Sequence, residues 1–405
     1  MGSIVTYLQN EQRTLDEFPF NEVDSLVLSS VCYFNFKCAK VSLTVENDGK
    51  ETTHSLDLVP LGNDAVLLHD ILCLANIDEL ISNSWLYFSP ESKGFVLALT
   101  ASRRYRDISC TCYKNEVADA IEKQFAAINF THVGKHSFNY VAYRGTDGTF
   151  SGWKEDFNLS YKSIIPSQRN ALFYLSGIAL LNDYPIIVGG HSKGGNLATF
   201  AALCCEEALF ERIALIFNHD GPSFLTSPSP RKDSKSFNEK YFKTVPESSI
   251  IGMILQKDDH YTVVKSTSHS VFQHNPFSWI VEKHNFVKQE EINPSAQFFD
   301  AAVAEWINAE TDEEREKFID ALYAVLISSG HSKFSEFQQN MPANVATIVK
   351  NGMLIDKQTR KFIFKVIGDF ASIIKDESLS RLAEASPLTK ITNGNSSDSS
   401  KNNNY

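Results

Sequence analysis

Tyr184-Pro185-Ile186-Ile187-Val188-Gly189-Gly190-His191-Ser192-Lys193-Gly194-Gly195-Asn196-Leu197-Ala198 is the stretch from which the fold of this chain is read. An unbroken apolar run stops at two glycines, a serine follows inside Gly190-His191-Ser192-Lys193-Gly194, and Asn196 to Leu209 then carries helical periodicity. The pattern predicts a buried strand, a sharp turn and a helix, with the serine hydroxyl presented at the apex. The pentapeptide alone says little. The strand before it and the helix after it give it meaning.

Outward from this point the order of elements is that of an α/β protein. Upstream, Asp107 to Tyr113, Gln124 to Thr131 and Ser137 to Tyr143 alternate as strands, the last after a turn at Gly134, and form an antiparallel hairpin feeding a central sheet. Gln168 to Leu181 is a helix leading into the elbow strand, so strand, helix and strand succeed one another as a parallel sheet requires. Downstream, Ile213 to Phe217 and Tyr241 to Val245 are further strands. Ile250 to Leu255 and Tyr261 to Ser266 are expected to form a hairpin around Lys257-Asp258-Asp259-His260. Near the start, Asn21 to Phe34 reads as a helix capped by Asn21 or Asp24; Asp64 to Leu74 and Asp78 to Ser84 are helical and irregular, and β-type runs are expected from Phe95. From Pro294 the apolar spacing becomes three and four residues, with Thr311-Asp312-Glu313-Glu314 as a helix start.

A G-x-S-x-G turn between strand and helix is the nucleophile elbow of α/β hydrolases. Serine chemistry needs a base, an acid to orient it and amide donors for the oxyanion, and in this fold the partners follow in the order serine, acid, histidine. His219 comes too early in that order. His274, in Gln273-His274-Asn275-Pro276-Phe277-Ser278-Trp279, is the preferred base and His269 the reserve. The acid is expected at the end of the second strand after the elbow, which makes Glu247 the first candidate, with Asp220 and Asp258 as alternatives. The oxyanion donors are expected to be the amide of Lys193, at a helix N-terminus, and one from Arg144-Gly145-Thr146. Arg144 is expected to pair with Asp156, and Lys193 to place a charge beside the mouth of the site.

Tyr143-Arg144-Gly145-Thr146 with Gly152-Trp153 and Asp156, followed by Gly190 to Ala198, resembles the paired motifs of the class 3 lipase superfamily. R-G-T-D, G-W-K-E-D-F, G-H-S-K-G-G-N and Q-H-x-P-F-S-W together resemble a bacterial branch of it catalogued as a domain of unknown function. The similarity covers about residues 15 to 285. It implies Ser192 as nucleophile, His274 as base and Thr146 and Lys193 as oxyanion donors, in an enzyme that hydrolyses esters. The acid departs from the lipase pattern, since Pro246-Glu247-Ser248-Ser249 stands where lipases carry an aspartate.

Composition agrees with this class. Across 405 residues, 38 basic and 49 acidic side chains give a formal charge of −11, which argues against a nucleic-acid partner. No apolar run reaches the ~18 residues of a membrane span, so a cytoplasmic protein is expected, with peripheral membrane contact compatible with a lipid ester substrate. Of the seven cysteines, Cys204 and Cys205 are expected to be packing residues rather than a bridge, and Cys110-Thr111-Cys112 is too isolated for a metal site. The expectation is an α/β-hydrolase fold, a mostly parallel central sheet flanked by helices, over residues 1–290, a helical appendage over 291–388 and a disordered tail over 389–405. It uses no cofactor or metal and acts on a small-molecule or lipid ester. Acyl transfer on the same serine, or a non-catalytic interaction role, are the alternatives.

Overall fold

The computed structural model describes residues 1–327 except 39, 48–49, 58–60, 83–88, 119–121, 148, 257–259, 295, 298–306 and 308. The chain divides into two compact units, Met1–Val349 and Lys350–Tyr405, and the second lies outside the described residues, as do most of the helices expected beyond 294 and the tail.

Helices α1 (Ile4–Asn10) and α2 (Glu22–Val31) come first, then a hairpin of β1 (Lys40–Asn47) and β2 (Lys50–Asp57). Next follow β3 (Val66–Leu67), α3 (Leu68–Leu74), α4 (Ile77–Leu80), α5 (Ser92–Ala101), β4 (Ser109–Ala118), β5 (Lys123–His132) and β6 (Phe138–Tyr143). The middle of the chain holds α6 (Phe150–Asn158), α7 (Pro166–Ile178), β7 (Ile186–His191), α8 (Lys193–Cys204), α9 (Glu207–Arg212), β8 (Ile213–His219), α10 (Lys235–Asn238) and β9 (Tyr241–Pro246). It continues with β10 (Thr262–Val264), β11 (Val281–Glu282), β12 (Asn285–Phe286), β13 (Lys288–Gln289) and α11 (Asp312–Ile327).

Nine strands form one sheet in the order β13-β10-β9-β8-β7-β6-β5-β4-β3. The five from β6 to β10 are parallel, and the flanking strands pair antiparallel. β7 is buried along its whole length because both faces are covered, and this is why it reads as an apolar run rather than an alternation. Ile186 and Val188 pack into the layer that holds Ala171, Leu175, Leu197 and Ala201 of α7 and α8. Ile187 turns to the opposite layer, built on α1, α2 and Trp279. A mixed sheet, parallel in its centre and covered by helices on both faces, with the serine turn in its parallel part, is the α/β-hydrolase fold.

α2 starts where its sequence says it should. The Asn21 side chain accepts from the amides of Val23 and Asp24, and Asp24 accepts from the Asn21 amide, closing a capping box. Asp24 also receives Arg104 at 2.6 Å and the hydroxyls of Tyr7 at 2.8 Å and Tyr105 at 2.5 Å, with both charges fully buried. Nη1 of Arg104 donates to the carbonyls of Arg13, Thr14 and Phe18, and Nη2 also donates to that of Pro19, which ties the N-terminal segment to the body.

Two expectations are corrected. The residues around Phe95 form α5 rather than a strand, a confusion that short apolar runs invite. Ile250 to Leu255 is a run of turns, and β10 pairs parallel with β9 and antiparallel with β13, so no hairpin joins the two segments. Asp258 and Asp259 lie outside the described residues. α11 is capped as its sequence suggests, with Thr311 Oγ1 accepting from the Glu314 amide and Glu314 from the Thr311 amide. It rests on α6, where Lys154 Nζ lies 2.8 Å from Asp320 and 4.8 Å from the ring centre of Tyr323. Among the described residues no helix is long and apolar enough to cross a membrane.

Candidate active site

Ser192 sits between the end of β7 and the first residue of α8 with φ 59° and ψ −135°, a conformation costly for a residue with a β-carbon. The turn is held from both sides: the Ser192 amide donates to His219 O at 2.9 Å, and its carbonyl accepts from Gly195 N at 2.9 Å. The glycines make the crossing possible. A β-carbon on Gly190 would collide with the backbone of Gly194, and one on Gly194 with the carbonyl of Tyr143. The helix therefore starts directly against β6 and β7.

His274 closes a short 3-10 helix, Ser270–His274, and its Nδ1 lies 2.6 Å from Asp220 Oδ2. Asp220 follows the end of β8, the immediate neighbour of β7, in the left-handed region at φ 54°. Its side chain is buried, and its second oxygen accepts the Ser249 hydroxyl. The His274 ring lies 4.5 Å from the ring of His191, the residue before the serine. His191 Nε2 is 2.8 Å from the carbonyl of His274; a carbonyl only accepts, so this nitrogen carries the proton and Nδ1 is left to accept from the Tyr33 hydroxyl at 3.2 Å. Burial, with the nearby His274, pushes the His191 pKa well below its ordinary value and keeps it in this neutral form.

The rest of the histidine motif builds its loop. Gln273 Oε1 accepts from the Ser248 amide at 2.6 Å, its backbone carbonyl accepts from Trp279 Nε1 at 2.8 Å, and Asn275 Oδ1 caps the next turn through the Phe277 amide. Trp279 is fully buried beneath the site, 6.4 Å from the His191 ring.

The carboxylate that reaches His274 is Asp220, where Glu247 was the first expectation. Glu247 stands one strand farther from the serine, at the end of β9, and only its backbone is engaged, with Val264 O and Asn293 N. Its segment contributes Ser249 to the orientation of Asp220 instead. His269 is exposed. His219 is buried in the opposite layer with Nε2 2.8 Å from Ser25 Oγ, and burial pushes its pKa down to about 3. Asn-His-Asp-Gly-Pro at 218–222 was the available signal: a polar cluster at the end of the strand adjacent to the elbow.

The Arg144-Gly145-Thr146 segment lies across from the serine. A β-carbon on Gly145 would fall 3.0 Å from Cβ of Ser192 and would collide with the Tyr33 hydroxyl. Thr146 Oγ1 donates to Asp156 Oδ2 at 2.5 Å. Arg144 does not pair with Asp156: its guanidinium donates to Asn115 Oδ1 at 3.3 Å and lies 3.6 Å from Asp147. Nor does the Lys193 side chain charge the mouth of the site. It runs inward, fully buried, to Glu155 at 2.9 Å, the carbonyl of Gln124 at 3.2 Å and Asp156 at 3.7 Å. Burial alone would lower its pKa; Glu155 and Asp156 outweigh that and raise it. Desolvation pushes Asp156 up to about 6 against the opposing pull of Lys193 and Thr146, although 32% of its side chain remains exposed. Among the described residues no group of three or more His, Cys, Asp or Glu is arranged to hold a metal ion, and the seven cysteines are all free.

Comparison with known proteins gives one family match, to the Mbeg1-like model over residues 99–324. No curated protein matches the chain. Among solved structures it is similar to M37 lipase, with 15% identity and a TM-score of 0.32 over 55% of this chain and 74% of that one. It is also similar to the Rhizomucor miehei lipase in complex with its propeptide, with 14% identity and a TM-score of 0.29, over 43% of this chain and just under two thirds, 66%, of that one. With its sheet from β4 onward, its serine turn and its histidine loop all inside the matched range, the chain belongs to the Mbeg1-like family, a lipase-like family.

Proposed function

We propose that the protein is a serine hydrolase that cleaves carboxylic esters through an acyl-enzyme on Ser192. The observation that carries this reading is the Asp220–His274 hydrogen bond, set against the strained turn that presents Ser192. Asp220 fixes the tautomer with the proton on Nδ1 and leaves Nε2 of His274 to take the serine proton. Ser192 Oγ attacks the acyl carbonyl, and the negative charge that develops on the carbonyl oxygen is met by the amides of Lys193 and Thr146. The imidazolium returns its proton to the leaving alcohol, and water, deprotonated by the same histidine, releases the acid. The amide of Lys193 is the first of α8, where the helix dipole adds to its effect. Each oxyanion donor in such sites supplies about 3 kcal/mol.

A fluorophosphonate probe tests the reading directly. The wild-type protein is expected to be labelled and Ser192→Ala to be unlabelled, with p-nitrophenyl butyrate turned over only by the former. A folded wild type that neither takes the probe nor hydrolyses the ester refutes it.

A further inference from the structure

Lys193 and Glu155 form a fully enclosed ion pair directly behind the serine turn, with side-chain exposures of 1% and 0%. Glu155 is saturated. Its oxygens accept from Gln124 N at 3.0 Å, Ser167 N at 3.1 Å, Ser167 Oγ at 2.6 Å and Lys193 Nζ at 2.9 Å, so one carboxylate joins β5, α7 and α8 to α6. The next residue, Asp156, holds Thr146. The two residues proposed above as oxyanion donors are thus tethered, by side chain, to consecutive carboxylates of a single helix. A buried ion pair is a poor source of stability, since apolar residues of similar size often serve as well or better, but it fixes a geometry that they do not.

We propose that Glu155 is a positioning residue for catalysis: by gripping the side chain of Lys193 it sets the direction of the Lys193 amide in the oxyanion hole. The inference rests on the proposed hydrolysis at Ser192. Glu155 touches no reacting atom. It acts through the first residue of α8, and small displacements of a donor in such a site are costly in rate.

The test compares wild type, Glu155→Gln and the double variant Glu155→Gln/Lys193→Met by fluorophosphonate labelling rate and by kcat and KM on p-nitrophenyl butyrate, normalised to titrated sites, with melting followed by circular dichroism. Glu155→Gln strands a buried ammonium and is expected to melt earlier. The double variant removes both charges and is expected to recover part of the lost melting temperature, since the glutamine NH2 still faces a backbone N–H that the carboxylate accepted. Its labelling rate and kcat are nonetheless expected to be down about 10- to 100-fold with KM within about 2-fold. Recovery of the rate together with the melting temperature in the double variant overturns the proposal, because the pair is then structural alone. Should the double variant not fold, Lys193→Arg, which keeps the charge and moves the grip, decides by the same split between kcat and KM: a lower kcat at unchanged KM supports the proposal, and full activity overturns it. An unlabelled, inactive wild type fails at the earlier step, and the proposal falls with the serine reading.

Discussion

At the scale of single residues, Asp220 and Glu247 separate two accounts of the same histidine. Asp220→Asn keeps the shape but offers an amide where Nδ1–H needs an acceptor; kcat on p-nitrophenyl butyrate is expected to fall by as much as about 10⁴-fold. Glu247→Gln, which neutralises a carboxylate that makes no hydrogen bond or ion pair with His274, is expected to leave kcat within about 2-fold, measured with the same substrate. His219 carries a different expectation. Its imidazole is held neutral down to about pH 3, while in the unfolded chain it titrates near 6.5. As pH falls through that interval the unfolded state takes up a proton that the folded state refuses, so stability is lost at about 1.4 kcal/mol per pH unit. His219→Gln keeps a partner for Ser25 without titrating, and its melting temperature is expected to drop less than that of wild type between pH 7 and pH 4.5. Ser192 and His274 were legible because each sits in a motif whose local pattern demands it. Asp220 was not: choosing between it and Glu247 depends on which strand end lies beside β7, a fact of pairing between strands that neither segment carries in its own residues.

At the scale of elements, the loop from Arg144 to Thr146 and helix α6 act on the site together. Gly145 leaves room for nothing larger, since Tyr33, His191 and Ser192 already surround it. Gly145→Val is therefore expected to lower kcat at least 100-fold through displacement of the Thr146 amide, with the labelled fraction of sites reporting how much folded enzyme remains. The strands β5 to β9 were readable from apolar runs bounded by glycine, proline and polar clusters. β1 and β2 were passed over although Val41, Leu43 and Val45 alternate with polar residues ahead of Asp48-Gly49, a pattern that reads as a hairpin. α5 was missed because its apolar run is too short to reveal its period. The inward course of Lys193 was illegible too; a lysine after the serine reads as a surface charge until Glu155, 38 positions earlier, is known to face it.

At the scale of the whole molecule, two apolar layers lie on opposite faces of the sheet, and the site sits at the ends of the parallel strands between them. The N-terminal segment belongs to one of these layers through the buried pair of Arg104 and Asp24. Asp24→Asn leaves the guanidinium without its counter-charge and is expected to cost about 3–5 kcal/mol, seen as a lower urea midpoint at unchanged m-value. The architecture was legible from the elbow and from the order of strands around it, because parallel sheets accept few connections. How the N-terminal segment is fastened was not, as Asp24 and Arg104 are 80 positions apart.

Lys154, Glu155 and Asp156 each leave α6 about 100° after the one before. They meet three different regions: Lys154 reaches Glu122 and α11, Glu155 the start of α8, and Asp156 the loop at Thr146. The helix works as an indexed shaft. Exchange of one charged residue for another disturbs the contacts of that residue alone, whereas inserting or deleting one residue ahead of Lys154 turns the shaft by one step and hands each side chain to the wrong counterpart. For this stretch the spacing is a stricter requirement of the fold than the letters.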